Sequence, residues 1–291
     1  MPDHPAVHAQ LSDNARIGGV RLQIADLERS LVFYRDLLGF TELSRQDGYA
    51  ELAVPGAPRA LVTLVERRDA RPVRPRSRLG LFHFAVLVPD RASLGSVLVH
   101  LGDRGVPLGM SDHLVSEALY LSDPDGLGIE IYRDRPRAEW PREGPDLVMA
   151  TDPLDARGLA AEPGAGVWQG MPAGTVIGHM HLHVDDLARA EAFYHGTIGF
   201  DVTVRRYPGA LFMSAGGYHH HLGVNTWARG ASAPAPDDAQ LLDWELVVDD
   251  PGAVAAVAER VAAAGGETSR GGDGAVLARD LSGTVVRVVA D

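Results

Sequence analysis

The sequence predicts an α+β fold built from four βαβββ modules, and a repeat at one fixed offset carries that prediction. Residues 17–40, IGGVRLQIADLERSLVFYRDLLGF, return at 177–200 as IGHMHLHVDDLARAEAFYHGTIGF. Ile17/Ile177, Leu22/Leu182, Asp26/Asp186, Phe33/Phe193, Tyr34/Tyr194 and Phe40/Phe200 match at an offset of 160. The same offset lays GLFHFAVLVPDRASLGSVLVHLGDRG (80–105) over QLLDWELVVDDPGAVAAVAERVAAAG (240–265), with His83 over Asp243. Self-similarity at a fixed spacing marks one supersecondary unit used repeatedly.

Each unit justifies its elements in the same order. A stretch alternating like a strand comes first, followed in the first and third units by an Asp where a helix N-cap belongs. After Asp26, Leu27, Leu31, Tyr34 and Leu38 fall at helical spacing, and a glycine closes the helix. Several further strands complete each unit, giving modules at about 16–66, 79–133, 176–227 and 240–290. The halves are therefore 1–133 and 176–291, joined by a Pro/Gly-rich stretch, 134–175, that reads as an interdomain connector.

Composition narrows the function. A chain of 291 residues suits two domains, and a hydrophobic fraction of 45% is enough for real cores. No run of about eighteen apolar residues exists, so no membrane span is expected. The first ten residues, MPDHPAVHAQ, lack a basic start followed by an apolar stretch, so no secretory signal is read and a cytoplasmic protein is expected. A net charge of −12 argues against nucleic acid or anionic lipid as a partner. With no cysteine, disulfides and thiolate metal sites are excluded, and any metal is held by His, Asp, Glu or water. There is no lysine either, which excludes Schiff-base chemistry.

Against that background three residues stand out: His83, Glu130 and His179. His83 and His179 occupy equivalent first-strand positions in the repeat. Two neutral imidazoles and one carboxylate, with other positions open, are the ligand set of non-haem Fe(II) enzymes that activate O₂. Tyr120 and Glu130 flank the turn SDPDG, so a hairpin closing near Asp125 makes them cross-strand neighbours on one face.

The phrases DLERSLVFYRDLLGF and LSDPDGLGIEIYRD resemble the vicinal oxygen chelate superfamily, which includes glyoxalases, bleomycin resistance proteins and extradiol dioxygenases. SEALYLSDPDGLGIEIYRDRP and GGYHHHLGVNTW are similar to its bacterial catechol-2,3-dioxygenase branch. The resemblance covers nearly the whole chain outside the connector. It implies paired modules curled into two cups, with metal ligands from first strands and a last strand. Module one offers Gly19, module two His83 and Glu130, module three His179, and module four Asp243 and Arg287. Neither half holds a full triad. Pairing module two with module three completes His83, Glu130 and His179, and leaves modules one and four as a metal-free cup.

The resemblance further implies an Fe(II) enzyme, with Mn(II) compatible, that cleaves a small aromatic diol with O₂ in aromatic hydrocarbon catabolism, and a homodimer. Tyr120 is then the residue that binds and polarises a catecholate oxygen. A non-ligating histidine of the run His219-His220-His221 is the acid/base residue. Aligning Leu222 with the strand's apolar position points to His220, although a one-residue slip would exchange the candidates. His113, His181 and His221 are candidates for the substrate pocket; His113 is equally readable as a solvated loop residue. Pocket size is expected to depend on loops 105–117 and 205–217. Two rival readings stand on the same scaffold: a glyoxalase-type isomerase or lyase, which prefers a second glutamate where His220 to Gly223 stand, and a metal-free small-molecule binding protein of the resistance type.

Overall fold

The computed structural model describes residues 10–144 and 146–291. Residues 1–9, where no secretory signal is read, and Pro145 lie outside the described residues. Module one comprises β1 (Arg16–Ile24), α1 (Leu27–Leu31, continued as a π-helical turn over Val32–Leu37), β2 (Thr41–Gln46), β3 (Tyr49–Ala53) and β4 (Val62–Glu66). Module two comprises β5 (Gly80–Leu87), α2 (Arg91–Asp103), β6 (Gly109–Asp112), β7 (Ser116–Ser122) and β8 (Gly128–Asp134). The connector carries a short hairpin, β9 (Arg142–Glu143) and β10 (Asp146–Leu147), and α3 (Ala156–Ala160). Module three has β11 (Val176–His183), α4 (Leu187–Phe193, continued as a π-helical turn to Ile198), β12 (Asp201–Val204), β13 (Ala210–Ser214) and β14 (Leu222–Asn225). Module four has β15 (Gln240–Val248), α5 (Pro251–Ala263), β16 (Thr268–Arg270), β17 (Val276–Arg279) and β18 (Val285–Ala290).

The four module helices start alike. Asp26, Asp90, Asp186 and Asp250 each accept a hydrogen bond from the backbone N–H three residues on, at 2.7–2.9 Å. A cap of this kind contributes about 1 kcal/mol, so one residue type at one offset defines all four helix starts.

Strands assemble across the sequence halves. One eight-stranded sheet runs β16-β17-β18-β15-β1-β4-β3-β2, and the other runs β12-β13-β14-β11-β5-β8-β7-β6. Module one thus joins module four through the antiparallel β1–β15 pair, and module two joins module three through β5–β11. Helices and turns tie the sequence neighbours instead. The buried Tyr34 hydroxyl donates to Asp123 (3.0 Å) in the turn of module two, and Tyr194 donates to Asp280 (2.8 Å) in that of module four. Burial pushes the Asp123 carboxyl up to about 7.

One irregularity sets the direction of a central side chain. Along β11, Ile177 faces Val86 while His179 faces Ala85, leaving Gly178 as the extra residue of a bulge. Strict alternation would put residues 177 and 179 on one face. The bulge lets Ile177 enter the apolar core while His179 turns to the other face with His83.

Candidate metal centre

His83, Glu130 and His179 come from three adjacent strands, β5, β8 and β11, at the middle of one sheet. Parallel pairing sets Glu130 beside Ala85, and antiparallel pairing sets His179 opposite that same Ala85. Side chains directly across a ladder share a face, so the three converge. Their ligand atoms lie within 4.8 Å of one another, and all three residues are buried. His179 Nε2 is 3.2 Å and His83 Nε2 3.0 Å from the same oxygen, Glu130 Oε2.

The contacts fit a cation between these atoms. His83 Nε2 is buried and makes no well-directed hydrogen bond despite its short distance to Glu130. A buried imidazole nitrogen without a partner is costly unless something else occupies its lone pair. Burial pushes the Glu130 carboxyl up, but the His179 and His83 imidazoles outweigh it and hold the group well below the ordinary carboxylate range. Burial brings His179 down to about 4, so its ring is neutral near pH 7. An ionised carboxylate and neutral imidazoles are the protonation states that a metal requires.

The triad forms one wall of a cavity of about 240 Å³. Tyr120 pairs with Glu130 across the β7–β8 hairpin, as the turn between them predicts. Burial and the neighbouring Glu130 charge keep the Tyr120 hydroxyl protonated, well above its ordinary pKa. His113 lines the same cavity and is no solvated loop residue. Its Nδ1–H donates to the Ala150 carbonyl (2.6 Å), which leaves Nε2 to accept from the Tyr120 hydroxyl (2.5 Å). His220 also lines the cavity, its ring centroid 4.1 Å from that of His179. Burial, with further lowering from the neighbouring imidazoles, holds both His220 and His181 well below the ordinary histidine pKa.

A model of the Glyoxalase/Bleomycin resistance protein/Dioxygenase superfamily matches residues 16–131 and 176–286. The chain belongs to this superfamily. It is 49% identical over 242 residues to a catechol-2,3-dioxygenase of Bacillus subtilis strain 168, a match spanning 82% of this chain and 84% of the relative. Among solved structures, a Bacillus subtilis protein from strain 168 superposes with a TM-score of 0.66 at 14% identity, over 97% of this chain and 86% of the other. Maize glyoxalase I superposes at 0.57 with 16% identity, over 95% and 92%. At these identities the structures speak for the superfamily fold alone.

Of the other two histidines read as pocket candidates, His181 lines the cavity and His221 does not. The Nδ1 of His221 accepts the Ala215 N–H (3.1 Å) on the far side of the bend. His219 to His221 form a bend before β14 rather than part of the strand, and of the three His220 lines the cavity. His219 and His220 meet through their Nδ1 atoms, 2.7 Å apart. His181 lines the cavity with a buried, unpartnered Nε2, while His183 bonds Asn225 (2.7 Å) through Nδ1.

Sequence reasoning missed the aromatic walls Phe82, Phe212, Tyr207 and Trp227. It also read the connector as a spacer, whereas Met149 and Thr151 line the cavity and Thr151 Oγ1 meets the Tyr207 hydroxyl at 2.5 Å. The available signal was VMAT (148–151), an uncharged island in a Pro- and Arg-rich stretch.

The second cup has the same architecture without the ligands. At its first-strand positions stand Gly19 and Asp243, and Arg21 Nη1 closes on Asp243 Oδ2 at 2.6 Å. Arg287, at the last-strand position, pairs with Asp273 and Glu245. This concavity is larger, about 980 Å³, yet His83, Glu130 and His179 are the one metal-competent triad among the described residues.

Proposed function

We propose that this chain is an Fe(II)-dependent extradiol dioxygenase that opens the ring of a catechol with O₂. The observation that carries the reading is the convergence of two imidazole Nε2 atoms on one carboxylate oxygen, in a cavity flanked by Tyr120 and His220. The catechol-2,3-dioxygenase relative supports the reaction class. When bound, iron supplies an electron path between a catecholate and O₂ and a template for both reactants. One carboxylate and two neutral imidazoles leave a divalent cation with net charge +1, which favours an anionic diol. Mn(II) suits the same donors.

The surrounding residues have distinct tasks. Phe82, Phe212 and Trp227 give an aromatic substrate apolar walls, and a volume of about 240 Å³, below the usual range for ligand pockets, suits a single ring. Tyr120 keeps its proton and donates it in a hydrogen bond to a diol oxygen, with His113 holding its hydroxyl in place beforehand. His220, neutral and facing the cavity, takes the proton of a diol hydroxyl: the O–H bond breaks and an Nε2–H bond forms. A glyoxalase-type reaction is disfavoured because Glu130 is the sole carboxylate lining the cavity among the described residues.

Anaerobic reconstitution with Fe(II), followed by catechol and air, tests the proposal. A yellow ring-opened product that tracks iron content is expected. Absence of product from a panel of substituted catechols at full iron occupancy overturns it.

A further inference from the structure

His220 does not end at the cavity wall. Its Nδ1 lies 2.7 Å from His219 Nδ1, and His219 Nε2 lies 2.8 Å from Asp134 Oδ1. The row thus runs from the cavity, through a fully buried imidazole, to a carboxylate whose side chain is 24% exposed. The Tyr218 hydroxyl donates to the same Asp134 oxygen at 3.2 Å, and the Tyr132 hydroxyl meets that of Tyr218 at 2.7 Å.

The chemistry of the donors decides how the protons are arranged. An ionised carboxylate only accepts, so the His219 nitrogen facing Asp134 carries a hydrogen. A neutral His219 then presents a bare Nδ1 to His220. Two bare nitrogens at 2.7 Å would repel, so His220 Nδ1 carries the hydrogen between them. Its remaining nitrogen, Nε2, is left with its lone pair. The alternative, a doubly protonated His219, would bury a cation whose ring centroid is 6.3 Å from that of His179, a ligand of the candidate metal. Packing holds the arrangement: the Tyr218 ring lies 4.0 Å and the Trp140 ring 5.2 Å from that of His219.

We infer that Asp134 and His219 are positioning residues that hold His220 as the Nδ1–H tautomer, with the Nε2 lone pair turned to the substrate. His220 is thereby set as a base for the first proton rather than as an acid. The same logic holds the histidine of a Ser-His-Asp triad, here extended by one imidazole. The inference rests on the acid–base reading of His220 above.

The first test needs no turnover. Nitrogen-15 NMR of histidine-labelled protein, metal-free and loaded with diamagnetic Zn(II), reads which ring nitrogens are protonated. The expected result is Nδ1–H with bare Nε2 at His220, and the reverse at His219. A His220 protonated at Nε2, or a doubly protonated His219, overturns the inference. Kinetics give the second test. His219→Phe and Asp134→Ala are expected to lower kcat about tenfold to a hundredfold, within the range that a positioned acid–base group contributes. KM and iron content stay unchanged, and Asp134→Asn, which keeps an acceptor oxygen, recovers part of the loss. Unchanged kcat, or a loss that follows iron content or Tm, refutes the positioning role. Full activity in His220→Gln would instead overturn the acid–base reading, whatever tautomer NMR reports.

Discussion

Gly178 is the residue on which the aim of His179 depends, and Gly178→Ala puts that to a quantitative test. A Cβ at this position would stand 1.9 Å from the Tyr132 hydroxyl and 2.8 Å from its ring carbon. Ordinary non-bonded contact begins near 3.4 Å, so the two groups must part by about 1.5 Å (3.4 − 1.9). Tyr132 has no room to yield: it is fully buried, bonded to Tyr218, and packed with its ring 4.8 Å from that of His179. The strain therefore falls on the bulge of β11, and His179 moves away from Glu130. A displacement of about 1 Å at a reacting centre costs on the order of 10²-fold in rate. Fe(II) content after anaerobic reconstitution and kcat at saturating metal are the measurements, and both are expected to fall. Gly178→Ala combined with Tyr132→Phe removes the clashing oxygen and should recover part of both. Wild-type iron content and kcat in Gly178→Ala alone would show that the bulge does not set the ligand's position.

Further outcomes follow from the same contacts. Glu130→Gln removes the carboxylate that both imidazoles face, so Fe(II) content is expected to drop severely while the fold persists, as read by calorimetry and circular dichroism. Tyr120→Phe keeps the apolar wall and removes the donor; kcat should fall by about tenfold or more with iron content unchanged, checked by steady-state kinetics beside metal analysis. Asp123 gives a stability test. Its folded pKa, about 7, lies above its ordinary value of 3.8, so the native state holds a proton that the unfolded chain has lost between these pH values. Its contribution is full below about pH 4 and disappears as pH rises through 7, a change of about 4 kcal/mol. Asp123→Asn should flatten that part of the stability–pH profile in chemical unfolding, whereas parallel profiles for the two proteins would contradict the assignment.

Much of this was legible because repetition and hydrogen-bond chemistry act locally. The aspartate N-caps at 26 and 186, the closing glycines and the Tyr120/Glu130 pairing each depend on a few consecutive residues. The π-helical turns were not foreseen. The 3.6-residue pattern of Leu31, Tyr34 and Leu38 suggests a plain helix, yet Leu38 N–H bonds back to Phe33 O, five residues earlier. The pattern reports which side is apolar, and all three residues are buried, but not how the turns are wound. Of His219 to His221, His220 lines the cavity although the strand begins only at Leu222, so the choice made by aligning Leu222 pointed to the residue that faces the site. The connector's part in the cavity was hidden because its lining residues owe their place to distant partners, such as Tyr207 for Thr151.

The sequence by itself determined the four modules, their order of elements and the residue types able to hold a metal, since periodicity, capping and donor chemistry are properties of short segments. It also nominated His83, Glu130 and His179, but as three positions on separate strands. Tertiary structure decided that β5 and β11 lie side by side, that a bulge at Gly178 turns His179 toward Glu130, and that His220 is backed by His219 and Asp134. Those outcomes depend on strand pairing and side-chain contact between residues up to about a hundred positions apart, which no local pattern encodes.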